Sequence, residues 1–246
     1  MIVVKFFLAY IVNHGVIEIS TEDLIYATLT NYINKIVRTD TEIRQRLLYL
    51  ANKLLELNRV RAVSLNHSIM ELTVAKYLIE QEYNDVDVEV KLDDTLMADV
   101  VGFKGGRVVV EIETGFVPVE YAEEPLNYLK ARLTSKIARY SALADMFILA
   151  FPTYYIPPIP RILLKKPFER DPVIIKELKS LVDRYYKNPP IEIDYIYKAY
   201  LHKLYILNVD EGRVIELSPE DLLEIYETAG RIKKNTNSNK KFVEMY

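Results

Sequence analysis

Residues 97–115 read MADVVGFKGGRVVVEIETG. Leu96–Phe103 and Val108–Thr114 are valine-rich, apolar runs suited to strands, and Gly105-Gly106 between them marks a turn. Side chains alternate along a strand, so Glu111 and Glu113 share one face while Val110 and Ile112 take the other. Two carboxylates in so apolar a strand are costly unless a cation compensates them. Asp99 sits on the partner strand near the same level. Three converging carboxylates suit a hard divalent cation, Mg2+ or Mn2+, able to activate water and stabilise charge on a phosphodiester. The same pattern also describes the solvent face of an ordinary antiparallel hairpin, and both readings stay open. Register matters here. A hairpin closed symmetrically on Gly105-Gly106 sets Asp99 opposite Ile112, on the wrong face for Glu111. A bulge or kink near Asp99 or Gly102 is therefore expected.

The flanking sequence has its own periodicities. Ser68–Tyr83 reads as a helix, Val86–Val90 alternates strictly, Pro125–Asp145 is a long helix, and Met146–Phe151 is wholly apolar, as in a central strand. The order helix, three strands, helix, strand implies an α/β fold with a mixed central sheet flanked by helices. Pro152, Pro157, Pro158 and Pro160 then break the chain into a loop, where Tyr154 and Tyr155 either stack on nucleobases or pack locally. Asp171–Tyr186 reads as a further helix. Leu204–Asn208 and Arg213–Leu217 form a hairpin, and Ser218-Pro219-Glu220 starts a last helix ending near Gly230. Upstream, the apolar run Val3–Asn13 precedes two helix-start signatures, Ser20–Asp23 and Thr39–Glu42, which lead into Leu24–Ile36 and Ile43–Leu57. Three short helices with a basic third one (Arg44, Arg46, Lys53) suit either a helix-turn-helix-like module or a helical cap. The expected division is a helical region over 1–66, an α/β domain over 67–229, and a basic tail over 230–246. That tail is either an arm for phosphates or a solubilising end.

The hairpin and its neighbours resemble the PD-(D/E)xK nuclease superfamily, which includes restriction enzymes and archaeal Holliday-junction resolvases. The match runs as Ala98-Asp99, then Glu111-Ile112-Glu113, over roughly residues 66–155. The resemblance implies a restriction-endonuclease-like fold with an N-terminal helical region, and a metal held by Asp99, Glu111 and the backbone carbonyl of Ile112. Glu71 stands where the family's leading helix often carries a metal-associated Glu, although Ser68-x-x-Glu71 is also a plain capping box. Two departures stand out. Ala98 replaces the proline, and Glu113 replaces the lysine that polarises the attacking water. Lys136, in Lys136-Ile-Ala-Arg139-Tyr140, is the candidate for a migrated lysine. Glu113 is left as a general base or a ligand to a second metal. Lys130, Arg132, Arg139 and Tyr140 are the expected contacts to nucleic acid, with a solvated helix face as the plainer alternative. The expected activity is that of a Mg2+- or Mn2+-dependent DNA endonuclease, with structure-specific cleavage left open. The alternative is a DNA-binding protein that kept the fold and lost catalysis. DNA is the expected partner, a homodimer is expected where both strands are cut, and no organic cofactor is implied.

Composition narrows the chemistry. Cysteine is absent, so disulfides, thiolate zinc sites and cysteine nucleophiles are excluded. The three histidines, His14, His67 and His202, lie far apart in sequence and read as structural. Net charge is −3, so a basic surface does not advertise nucleic-acid binding. No stretch is long enough for a membrane span and no signal peptide is evident, which sets a cytoplasmic expectation. Lack of Cys and Trp beside abundant Ile, Glu and Lys leans towards a thermophile.

Overall fold

A computed structural model describes residues 21–60 and 64–234. The apolar run 3–13 and residues 235–246 of the expected tail lie outside them. Among the described residues, eight α-helices flank one six-stranded sheet whose strands lie in chain order. Three helices come first: α1 (Thr21–Ile36), α2 (Thr41–Val60) and α3 (Leu65–Glu80). The strands β1 (Asn84–Lys91), β2 (Met97–Phe103) and β3 (Arg107–Ile112) form an antiparallel meander. Helix α4 (Pro125–Ser141) crosses over to β4 (Met146–Pro152), which pairs parallel with β3. The short helices α5 (Arg161–Leu164) and α7 (Ile193–Lys198), with α6 (Pro172–Tyr185) between them, return the chain to β5 (Lys203–Asn208), parallel to β4. β6 (Arg213–Leu217) closes the sheet as a hairpin, and α8 (Pro219–Lys234) follows. The α/β class and mixed sheet stand as expected. Helix α8 runs to Lys234, past the expected end at Gly230.

Two cores result, one on each face of the sheet. Leu29, Ile33, Leu47 and Leu54 of α1 and α2 join Leu72, Ala75 and Leu78 of α3 against Val88, Val100, Val110 and Ile148. Leu133, Ile137 and Ala138 of α4, with Leu163, Leu178 and Ile196, cover Val109, Phe147, Leu149 and Leu204 on the other face. Each such buried aliphatic side chain contributes about 1.5–3 kcal/mol. The first core runs across the expected boundary at residue 66. α1 and α2 share one continuous core with α3 and the sheet, and the Tyr32 hydroxyl bonds Thr73 Oγ1 at 2.6 Å. The basic residues of α2 are partly spent on this packing. Arg44 donates to the Val37 carbonyl, and Lys53 pairs with Asp87 at 2.7 Å. These helices pack as a cap on that face of the sheet.

The hairpin register also departs from expectation. Phe103 pairs with Arg107, Gly102 with Val108 and Val100 with Val110, so the loop has three residues, Lys104-Gly105-Gly106. Gly105 takes φ +71°, which only glycine adopts at little cost. That extra loop residue, not a bulge at Gly102, brings Asp99 level with Glu111. A kink does occur near Asp99. Ala98 packs on the α4 side while Val100 packs on the α3 side, so the alternation breaks between them. On the neighbouring strand, Glu89 holds φ +46°. This backbone is strained by about 1–3 kcal/mol.

Candidate functional site

The β2–β3 pairing ends at Val100 and Val110, and side chains take over the bonding beyond it. The Ile112 N–H donates to Asp99 Oδ2 at 2.6 Å, and the Asp99 N–H donates to Glu111 Oε1 at 3.1 Å. Asp99 and Glu111 are thus clasped across the end of the hairpin. The parted strands admit one helix from each layer. From α3 come His67 and Glu71. From α4 come Lys136 and Arg132.

On the α3 side, His67 Nε2 lies 3.2 Å from Asp99 Oδ1. His67, Glu71 and Asp99 each offer a ligand atom within 4.8 Å of the others, a spacing that suits one metal ion. Glu71 is fully buried, and neither carboxyl oxygen has a hydrogen-bond partner among the described residues. Burial, then the negative charges of Asp99, Glu89 and Glu111, push its pKa up to about 10. Burial and the charge of Asp99 push Glu111 up to about 8, against the opposing pull of Lys136. Burial alone would raise Asp99, but the hydrogen bond from His67 and the charge of Lys136 hold it below the usual carboxylate range. Burial likewise disfavours charge on His67, yet its bond to Asp99 raises it above the ordinary imidazole value. Four carboxylates converge here with few cations, and a buried unpartnered carboxyl group is what a divalent ion satisfies. The residues fit such an ion on this side.

On the α4 side the cations are present. Lys136 Nζ lies 3.1 Å from Glu111 Oε2, donates to the Ile112 carbonyl at 3.1 Å, and lies 3.7 Å from Glu113 Oε2. Burial disfavours its charge, but Glu111, Asp99 and Glu113 together raise it. The Ile112 carbonyl, expected as a metal ligand, instead accepts this ammonium. Glu113 is fully buried and pairs with Arg132 Nε at 2.9 Å.

The expected residues therefore divide. Asp99, Glu111, Glu113 and Lys136 come together, with Glu71 behind Asp99. The expected nucleic-acid face of α4 is largely turned inward. Arg132 is committed to Glu113, Arg139 donates to the Pro189 carbonyl at 2.9 Å, and Tyr140 is buried with its hydroxyl on the Met97 carbonyl at 2.9 Å. Lys130 is half-buried, and burial lowers its pKa. In the proline loop, Tyr155 packs its ring on Gly115 while Tyr154 is exposed.

Two residues escaped the sequence reading. His67 is one, and its signal was the spacing His67-x-x-x-Glu71, which puts both side chains on one helix face. The capping-box reading of Ser68 obscured it. The N-cap is Ser64, so Ser68 lies inside the helix and caps nothing. Glu89 is the other. Its strand alternates regularly in sequence, and it holds a positive φ, as Asp85 of the same strand does. No protein-family model, curated protein or solved structure matches this chain.

Proposed function

We propose that the protein is a divalent-metal-dependent DNA endonuclease of the PD-(D/E)xK type, with a site built on Asp99, Glu111 and Lys136. One observation carries the reading. An ammonium from another element reaches the Glu111 carboxylate at 3.1 Å, supplying the lysine that the strand itself lacks. Asp99, Glu71 and His67 would hold Mn2+ or Mg2+, and Glu111 would join them by giving up one of its present partners, the Asp99 N–H or Lys136. When bound, the ion supplies Lewis acidity towards a phosphodiester. Asp99 is oriented by the Ile112 N–H and His67, so its lone pairs keep a fixed direction. Glu111 is drawn between Lys136 and the Asp99 N–H. The Lys136 ammonium would offset negative charge developing on the phosphate and hold a water in line. Two-fold pairing of the chain would place two such sites for double-strand cleavage.

A second reading, a DNA-binding protein without cleavage, is favoured by Lys136 holding the Ile112 carbonyl. The test is nicking of supercoiled, junction, flap and single-stranded DNA with Mn2+ or Mg2+. Cation-dependent nicking that Lys136→Ala abolishes supports the enzyme. DNA binding without cleavage under either ion sinks it in favour of the second reading.

A further inference from the structure

Glu113 occupies the position where the resembled family carries its lysine, so what it does there bears on the whole site. Each of its oxygens is already engaged. Oε1 faces the N–H groups of Thr114 and Gly115 at 3.2 and 3.3 Å. Oε2 accepts from Arg132 Nε at 2.9 Å and faces Lys136 Nζ at 3.7 Å. A carboxylate meeting two backbone donors and two cations has little left for a metal or a proton in flight. Its surroundings are built to keep it so. Gly115 turns its N–H back towards Glu113 from φ +77°, and a Cβ there would lie 2.5 Å from the Tyr155 ring. Arg132 is in turn held by the Tyr128 hydroxyl at 3.5 Å.

We propose that Glu113 is a positioning residue which, with Arg132 behind it, anchors the Lys136 ammonium beside Glu111. Strand and helix have exchanged the roles of a single lysine: the strand supplies the counter-charge and α4 supplies the cation. The electrostatic reason is direct. A divalent ion on Asp99 and Glu111 would draw on the same Glu111 charge that attracts Lys136 and would repel the ammonium. Glu113 is the nearby carboxylate on the Lys136 side that the ion does not share. It keeps the ammonium in place once the ion is bound. This rests on the nuclease reading for its chemical purpose, but the anchoring itself is separately measurable.

The experiment is a charge-exchange cycle: wild type, Glu113→Lys, Lys136→Glu, and the two substitutions combined, with Glu113→Gln and Glu111→Gln alongside. Melting temperatures are read with and without saturating Mn2+, and Mn2+ affinity is read by calorimetry. Each single reversal should lower the melting temperature, and the combined protein should recover only a part of the loss, because Arg132 still faces position 113 and Glu111 still faces position 136. Glu113→Gln should weaken Mn2+ binding far less than Glu111→Gln does, because Glu113 is bonded to Arg132 and Lys136 and to no group that would hold the ion. In cleavage, each reversal should lose about 100-fold in kcat, a scale set by loss of a positioned acid–base group, with KM little changed. The exchanged pair should regain at least about 10-fold of that, which is about 1.4 kcal/mol. Glu113→Gln weakening Mn2+ as much as Glu111→Gln would make Glu113 a ligand and overturn the proposal. So would an exchanged pair no more stable than the worse single variant. A wild type that never cuts DNA but keeps the stability coupling would leave the anchor standing and remove the nuclease reading.

Discussion

Glu71 and Glu113 are equally buried, yet their surroundings are opposite. Glu71, on the α3 side of the parted hairpin, has neither oxygen hydrogen-bonded among the described residues and sits among three further carboxylates. Glu113, on the α4 side, is met by Arg132, Lys136 and two backbone N–H groups. A buried acid normally reaches one of two ends: it finds a counter-charge or it stays protonated. This molecule holds both within one site. The comparison teaches that burial alone says nothing about role. The α4 side is electrostatically complete, whereas the α3 side is short of positive charge and is where a cation would be most strongly held.

The sharpest way to break this contrast is to remove the carboxylate that touches both sides. Glu111→Ala should reduce Mn2+-supported nicking by about 10³-fold, the scale of several kcal/mol of lost charge stabilisation. Nicking at the wild-type rate would show that the two halves do not form one site. Next comes the response to metal. Mn2+ at a hundredfold excess over its dissociation constant should stabilise the wild type by about 2.7 kcal/mol. For a chain of this size that is a rise of roughly 5–10 °C in melting temperature. Glu71→Gln should remove most of that rise, because it withdraws one carboxyl donor of the His67, Glu71 and Asp99 group.

Metal-free stability should then reverse the order of the two acids. Breaking a buried ion pair costs about 3–5 kcal/mol, and the partial exposure of Arg132 and Lys136 reduces this to about 2 kcal/mol for Glu113→Gln. Glu71→Gln, replacing a group held protonated at pH 7 by a neutral amide of the same shape, should cost clearly less than Glu113→Gln. Chemical denaturation in EDTA measures both, and equal losses would erase the distinction. The smallest effect belongs to a histidine outside both halves. Burial lowers the pKa of His202, whose Nδ1 accepts the Phe147 N–H at 3.0 Å. Its neutral form is the one the fold uses. The unfolded chain therefore takes up a proton first, and this contribution is full above pH 6.5 and is lost as pH falls through the lower folded value. Wild type should lose slightly more stability than His202→Gln between pH 7.5 and pH 5; an equal loss would show that the histidine is a bystander.

Much of this was legible in the sequence because strands and helices leave periodicities. Asp99, Glu111 and Glu113 follow from alternation around Gly105-Gly106, whereas Lys136 comes only from the family resemblance, as the candidate for the lysine missing at position 113. What could not be read depends on the third dimension. The three-residue loop changes the register by one, and nothing in Lys104-Gly105-Gly106 distinguishes it from a two-residue turn. Whether Arg132 meets phosphate or Glu113 depends on which face of α4 packs inward, and a basic helix in sequence suits both. Glu89 looked like any polar residue in an alternating strand, since a positive φ in a non-glycine residue has no sequence signature.

The strand order carries a last consequence, for how the chain assembles. Each strand lies beside its predecessor, from β1 to β6. No strand has to be threaded between two already paired, and the meander β1–β2–β3 closes through short loops. Local closure of this kind is quick, while the two parallel crossovers must wait for their helices. His67, Glu71, Glu89, Asp99, Glu111, Glu113, Arg132 and Lys136 all precede β4. During synthesis every one of these groups has emerged before the strand that covers β3, so the C-terminal part of the chain completes the support beneath a set of residues already made.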